Sequence, residues 1–375
     1  MRIGIDIRSL IFTRAGISRY TGDIIKSLAG VDRDNEYSLF CNAKSRYSWS
    51  KYDNVKEEVI RFPHLGTFTE KLWEEILLPK ALISKKIDLF HSTRFVLPKK
   101  KPCKFIVTIY DLAFKKFPSL IAKKAFKYFD REIKSAVNLA DKIIVVSENT
   151  RKDLIDLFGA REDKIEVIYG GINENFRPIR REESLKKIRK KHRLPEKIIL
   201  FVGSIGPRKN LKRLITAFYE LKKNGSVRHK LVLVGEKGSL YEDISGMSKK
   251  LGLGHDVIFT GYIPESELPI IYNIADLLVY PSLYEGFGFP PLEAMACGIP
   301  IVASNVSSLP EVVGEAALLV DPFNVEAISG AMVRVLEDND LRAKMIEKGF
   351  ERLKKFSWEK TARKTLNLYR KCMAE

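Results

Sequence analysis

The chain alternates short apolar runs with longer segments of helical period. In its first half the runs are Ile3-Gly-Ile-Asp-Ile7, Glu36 to Asn42, Ile87 to Ser92, Phe105 to Leu112 and Ala140 to Val146, closed by Lys164 to Asn173. Apolar runs this short read as strands, and those without polar alternation as strands buried on both faces. Helices are expected from the segment after Gly16 to about Leu28, over Trp73 to Ser84, and within the Phe- and Lys-rich stretch Phe114 to Lys134. The second half restarts the alternation with Ile198 to Gly203, Leu231 to Gly235, Val257 to Pro264, Ala275 to Tyr280 and Ile299 to Ala303. Helices are expected from Leu211 and over Ala327 to Leu336, Leu341 to Phe350 and Ser357 to Arg370. Strands and helices taken in turn predict α/β units built on open parallel sheets.

The most informative stretch is Tyr280-Pro-Ser-Leu-Tyr-Glu-Gly-Phe-Gly-Phe-Pro-Pro-Leu-Glu-Ala-Met-Ala-Cys-Gly-Ile-Pro300. It reads as the end of a strand, a glycine-bearing loop, a short helix opened by Pro290 and Pro291 and closed near Gly298, and the next strand. In an open parallel sheet such a turn faces the ligand crevice. Gly286 and Gly288 let the backbone approach a ligand, and the helix start offers N–H groups. Glu285 and Glu293 frame the loop. An ionised carboxylate only accepts hydrogen bonds, so a sugar or ribose diol suits it and a phosphate does not. For Glu293 the other reading is a helix-start carboxylate stabilised by the dipole.

Glu285 and Glu293, with their seven intervening residues, resemble the E-x7-E signature of the retaining glycosyltransferases of family 4. The resemblance continues through Ser307-Ser-Leu-Pro-Glu-Val-Val-Gly314 and Leu319-Val-Asp-Pro322 and can be followed along nearly the whole chain. It implies a GT-B fold, two Rossmann-like domains facing each other across a cleft. Residues 1–177 would form an acceptor-binding domain onto which helix 357–375 packs back, and residues 178–356 a nucleotide-sugar-binding domain. The segment from Pro178 to Lys197, with eight Lys or Arg between Arg180 and Arg193 against two Glu, would join them. Gly170-Gly171 reads as a hinge.

Composition adds limits. The 375 residues are 45% apolar and 30% charged, enough for two domains, and no run of eighteen apolar residues occurs. The start, Met1-Arg-Ile-Gly-Ile-Asp-Ile7, shows no signal-peptide pattern, so a cytoplasmic protein is expected. Cys41, Cys103, Cys297 and Cys372 are widely spaced and suggest neither zinc nor disulfides. The net charge of +18 comes with no nucleic-acid motif. An anionic membrane surface, where the protein would sit peripherally, or an anionic acceptor fits it better, as does general Lys enrichment. For Phe114 to Lys134 the alternatives are a lipid- or acceptor-docking surface and a core helix with a solvated basic face.

The resemblance also assigns residues. Gly16 falls where the family has Gly-Ile-Gly-Arg-Tyr, with Ser18 here replacing the second glycine; a plain turn residue is the other reading. The family places a His before the Asp that Asp111 matches, and this chain has Tyr110. Ser147 sits at a strand end used in the family's cleft, although helix capping alone also explains it. His91 ends a strand and could face the cleft or be structural. Lys209 matches the family's lysine after the first strand of the second half. Ser204 occupies the position of the family's arginine, and Arg208 would supply the missing charge. Tyr262, in the Gly-Tyr-Ile-Pro turn, would lie near the base or simply pack. Phe287 and Leu292 belong to the donor-binding loop and helix.

The function so implied is retaining hexosyl transfer, with mannose as the first choice, from a nucleotide-diphosphate sugar to a glycan or lipid-linked acceptor in cell-surface polysaccharide synthesis. No cofactor and no metal are expected; Asp32/Asp34 and Asp338/Asp340 read as solvated turn residues. Glu285, Lys209, Arg208 and Asp111 would carry the chemistry. The competing readings are a catalytically degenerate nucleotide-sugar binder, to which Tyr110 and Ser204 lend support, and an epimerase or phosphorylase of the same architecture. A Rossmann oxidoreductase lacks its G-x-G-x-x-G.

Overall fold

A computed structural model describes residues 1–12, 16–45, 47–62, 67–225 and 227–375. The chain forms two compact units, Met1–Gly171 with Phe356–Glu375, and Ile172–Lys355. The boundaries fall slightly earlier along the chain than the sequence suggests.

The first unit holds seven strands: β1 (Arg2–Asp6), β2 (Glu36–Cys41), β3 (Val55–Val59), β4 (Leu89–Ser92), β5 (Lys104–Ile109), β6 (Lys142–Val145) and β7 (Ile165–Val167). Their order is β3-β2-β1-β4-β5-β6-β7, and every pairing is parallel. Strand β3 was not expected. Its sequence, Val-Lys-Glu-Glu-Val, lacks the apolar pattern because it is an edge strand, where charge is tolerated and discourages further pairing.

The helix expected over Trp73 to Ser84 is instead α-helix Thr67–Leu72, a π-helical stretch Trp73–Leu77 and α-helix Leu78–Ser84. The π turn coincides with a buried charge cluster. Arg8 donates to Asp6 at 2.7 Å and to Glu74 at 3.1 Å, and its guanidinium lies 4.0 Å from the Trp73 ring centre.

The Phe- and Lys-rich stretch breaks into Ala113–Lys116, a 3-10 turn Pro118–Leu120 and helix Lys123–Leu139. Its rings face inward: Phe114 packs against Phe126 and Phe129, both at 5.6 Å, and Phe129 meets Phe95 at 5.3 Å. Lys115 and Lys116 pair with Asp130 and Asp153. The aromatic face therefore belongs to the core, while Lys123, Lys124, Lys127 and Lys134 are exposed.

Helix Trp358–Ala374 packs on helix Ile17–Val31 within this unit. Tyr369 bonds His91 at 2.6 Å, and Thr361 donates to the Tyr169 carbonyl at 2.7 Å. Gly171 is a close-packing residue: a Cβ there would lie 2.2 Å from the Trp358 backbone nitrogen.

The second unit holds β8 (Ile198–Val202), β9 (Lys230–Val234), β10 (Val257–Gly261), β11 (Leu277–Tyr280), β12 (Ile301–Ser304) and β13 (Ala317–Val320). These again pair in parallel, in the order β10-β9-β8-β11-β12-β13. Strands β8, β11 and β12 are buried along their whole length, as unbroken apolar sequence predicts for β8 and β11, while β12 ends on the buried Ser304. The basic joining segment forms helix Glu182–Lys191 within this unit. Each unit is thus Rossmann-like. In the described residues no helix is long and apolar enough to cross a membrane.

Candidate active site

In the second unit, chain order reverses between β8 and β11. Ligands of open α/β sheets bind outside the carboxyl ends of the strands at such a point. The two loops leaving these strands bring Arg208, Lys209 and Glu285 together. Pro207–Lys209 is a 3-10 turn, after which Asn210, at φ 59°, opens helix Leu211–Lys223 from a left-handed backbone. Asparagine tolerates that conformation better than most residues. Its side-chain amide also stitches the loops, donating to the Pro281 carbonyl at 3.0 Å and the Pro322 carbonyl at 2.6 Å.

Lys209 Nζ donates to Glu285 Oε1 at 2.5 Å and to the Tyr280 hydroxyl at 2.6 Å. Arg208 donates to Glu285 Oε2 at 2.9 Å and to the Tyr284 carbonyl at 2.7 Å. Glu285 is 7% exposed and Lys209 8%. Burial disfavours the Glu285 charge, but the Arg208 and Lys209 cations and the hydrogen bonds outweigh it and hold the carboxyl at about 2. The trio sets two cations against one carboxylate, with Lys209 buried and Arg208 half-buried at the rim, a balance that suits an anion. Tyr280 stacks on Phe201 at 5.7 Å and stays protonated, because burial and the nearby Glu285 push its phenol well above its usual value.

The Glu285 loop is held from the next strand's end. Glu285 N–H donates to Ser307 Oγ at 3.0 Å, and the Ser308 hydroxyl is shared between the carbonyls of Glu285 (2.9 Å) and Phe287 (2.7 Å). Gly288 takes φ 121°, and a Cβ there would meet Leu309 at 2.9 Å, so this position needs glycine.

Glu293 lies deeper than the sequence suggests. Helix Phe289–Ala296 puts it in the second turn rather than the first, 1% exposed, with Oε2 accepting from the Tyr272 hydroxyl at 2.7 Å. It is therefore not a solvent-facing helix-start carboxylate. Phe287 and Leu292 are buried, and Leu292 N–H is engaged by the Gly288 carbonyl, so the side chain of neither faces outward. Gly286 is buried within the same loop, Ser204 is exposed beyond β8, and Tyr262, beyond β10, is 44% exposed.

In the first unit Asp111, Tyr110 and Ser147 each have a hydrogen-bond partner within the fold. Gly16, at φ 56°, is exposed and precedes helix Ile17–Val31; Thr13 to Ala15 lie outside the described residues. Asp111 is half-buried and accepts from Ala113 N–H at 3.0 Å, opening the short helix. Tyr110 donates to the Thr93 carbonyl at 2.9 Å, and burial raises its phenol well above its usual value. Ser147 is buried and caps helix Glu148–Phe158 through Thr150 N–H at 3.1 Å, so capping accounts for it. His91 is buried between Tyr369 and Thr108, at 2.6 and 2.8 Å, and burial lowers its pKa to about 3. Both of its ring nitrogens are thus engaged within the fold.

Asp32 corrects an expectation. It is buried and accepts from Tyr37 at 2.5 Å and Asn35 at 2.7 Å, so it is no solvated turn residue. Asp338 caps helix Asn339–Leu353 through Leu341 N–H at 2.8 Å. Among the described residues, no three His, Cys, Asp or Glu side chains are gathered to hold a metal ion.

The residues missed from sequence are supports. Tyr280, Asn210, Ser307 and Ser308 act on the cationic site and its loop, and Tyr272 acts on Glu293. Tyr280 and the serines stood inside quoted motifs, but nothing in a strand-end tyrosine or a serine pair names its partner.

Two family profiles match: "Glycosyltransferase Family 4" over residues 14–176 and "Glycosyl transferases group 1" over residues 184–352. The O-antigen chain mannosyltransferase B of Escherichia coli is 30% identical over 383 residues, covering 99% of this chain and all of that protein. The serotype-specific mannosyltransferase WbdA of Escherichia coli is 34% identical over 226 residues, 60% of this chain and 28% of that longer protein. Among solved structures, the sucrose-phosphate synthase from Thermosynechococcus elongatus is 25% identical, with a TM-score of 0.80 over 100% of this chain and 99% of that one. WaaG, a glycosyltransferase involved in lipopolysaccharide biosynthesis, shares the fold at 15% identity, with a TM-score of 0.78 over 98% of this chain and 99% of that one.

Proposed function

The chain belongs to glycosyltransferase family 4, and from that premise we propose that it is a retaining mannosyltransferase of cell-surface polysaccharide synthesis. It would move mannose from GDP-mannose to a hydroxyl of a glycan or lipid-linked acceptor. The observation that carries this reading is the Lys209–Glu285–Arg208 cluster at the turning point of the second sheet, in which Lys209 and Glu285 are buried and Arg208 is half-buried. The full-length likeness to a mannosyltransferase supports the choice of sugar.

In the proposed reaction the bond from the sugar's anomeric carbon to the diphosphate oxygen breaks. A bond to the acceptor oxygen forms on the same face, and the acceptor's proton passes to the departing phosphate. Lys209 and Arg208 stabilise the charge that develops on the diphosphate, as cations preorganised by a shared carboxylate do effectively. Glu285 keeps these cations in place and orients the sugar, and Glu293 accepts from the ribose hydroxyls. The two cations supply the charge stabilisation a divalent ion would otherwise give, so the reaction is proposed to need no metal. Acceptor contacts are assigned to the first unit. The exposed basic face of helix Lys123–Leu139 supports peripheral attraction to anionic lipid by charge rather than by aromatic insertion, since Phe126 and Phe129 pack against the core.

Thermal unfolding tests the donor class. GDP should raise the unfolding temperature more than UDP or ADP, because a ligand of the folded state stabilises by mass action. Equal or absent shifts with all three would remove GDP-mannose as the donor.

A further inference from the structure

We propose that Tyr272 is a positioning residue for the donor, fixing the Glu293 carboxylate that receives the ribose, and that the segment Phe176–Ile179 clamps Tyr272. This rests on the ribose role assigned to Glu293 above.

A glutamate reaching from a helix has three side-chain torsions to fix before its carboxylate can meet a diol in one geometry. The Tyr272 hydroxyl does part of this, donating to Oε2 at 2.7 Å. An ionised carboxylate offers about four acceptor sites, and a phenol donating to one of them sets the plane of the group. Tyr272 is itself immobilised. It is fully buried in the short helix Leu268–Asn273, and the Phe176 ring packs edge-on against it at 5.9 Å.

That helix is tied at both ends to the chain preceding β8. At its C-terminal end, Asn273 Nδ2 donates to the Arg177 carbonyl at 3.0 Å, and Ile179 N–H donates to Asn273 Oδ1 at 2.7 Å. At its N-terminal end, Glu267 accepts from Lys191 at 2.5 Å and from His192 at 2.7 Å. A hydrogen-bonded and packed path thus runs from residues 176–179 through Tyr272 to Glu293. Packing alone would be met by phenylalanine at position 272; the hydroxyl on the glutamate is what points to the donor.

The test is calorimetric binding of GDP, 2′-deoxy-GDP and 3′-deoxy-GDP to wild type, Tyr272→Phe and Glu293→Ala, with donor KM and kcat alongside. Wild type should bind at least one deoxy analogue about tenfold more weakly than GDP. Tyr272→Phe should narrow that ratio severalfold, raising the KM for donor with kcat largely kept. If Tyr272→Phe weakens GDP and both analogues by one common factor, or changes none of them, Tyr272 only packs and the inference fails. Glu293→Ala separates the two ideas: an unchanged ratio there overturns the ribose role itself, whereas a ratio lost in Glu293→Ala but intact in Tyr272→Phe overturns the positioning role alone. Should Tyr272→Phe fail to fold, Phe176→Leu loosens the clamp with the hydroxyl retained and is read by the same ratio.

Discussion

Lys209 and Glu285, 76 residues apart in the chain, meet at 2.5 Å in a site where neither is more than a tenth exposed. The Lys209 ammonium on one oxygen and the Arg208 guanidinium on the other hold the Glu285 carboxyl ionised. Because the pair must be desolvated, its value for stability is modest, and breaking it by removing one partner is costly. At the sheet's turning point, where ligands of open α/β sheets bind, the pair is a charge arrangement suited to a ligand.

Lys209→Met should reduce kcat by about a hundredfold or more, with a much smaller loss of donor affinity, if the ammonium acts on charge that develops during transfer. Steady-state kinetics with donor varied at saturating acceptor reads this. Equal losses in kcat and affinity would assign Lys209 to ground-state binding.

Glu285→Gln gives a prediction in pH. The folded carboxyl sits at about 2, below the ordinary glutamate value near 4.5. Its charge therefore contributes stability that is fully present above pH 4.5 and is lost as pH falls toward 2. Denaturant midpoints of wild type and Glu285→Gln should differ most above pH 4.5 and converge toward pH 2. A gap that is constant across this range would show that the carboxyl's ionisation is not what stabilises the site.

Asn210→Ala should destabilise the second unit by about 3 kcal/mol, since it strands two loop carbonyls and forces alanine into a left-handed backbone. Asn210→Gly, which relieves the backbone but not the hydrogen bonds, should recover part of the loss. Urea unfolding followed by fluorescence measures both, and identical losses would remove the backbone contribution.

Gly171→Ala should detach the C-terminal helix from its place in the first unit, because the added carbon would lie 2.2 Å from the Trp358 backbone. Limited proteolysis should then cut near Phe356 at protease levels that leave wild type whole. An unchanged digestion pattern would contradict the packing described.

These sites differ in how far the sequence disclosed them. Fully buried strands such as Ile198–Val202 were legible because unbroken apolar runs have few other uses. The charged edge strand Val55–Val59 was not, since it has one neighbour and no need of an apolar pattern. Lys209 and Glu285 were picked out by resemblance, yet their direct contact needed the sheet order that brings β8 beside β11. Glu293 was placed one turn too early, which made it look like a helix-start charge rather than a buried partner of Tyr272. Asp32 was misjudged because its shield, Tyr37 and Asn35, is made by folding and not by composition.

The central claim is mannosyl transfer with retention, and the most direct measurement is product formation from GDP-mannose. Purified protein, GDP-mannose and an α-mannoside acceptor are incubated with excess chelator, and GDP release is followed with the anomeric proton of the product. The account predicts one GDP released per mannose transferred and an α-linked product, with Lys209→Met nearly inactive. A β-linked product, a strict requirement for added metal, or no transfer by a protein that binds GDP would contradict it.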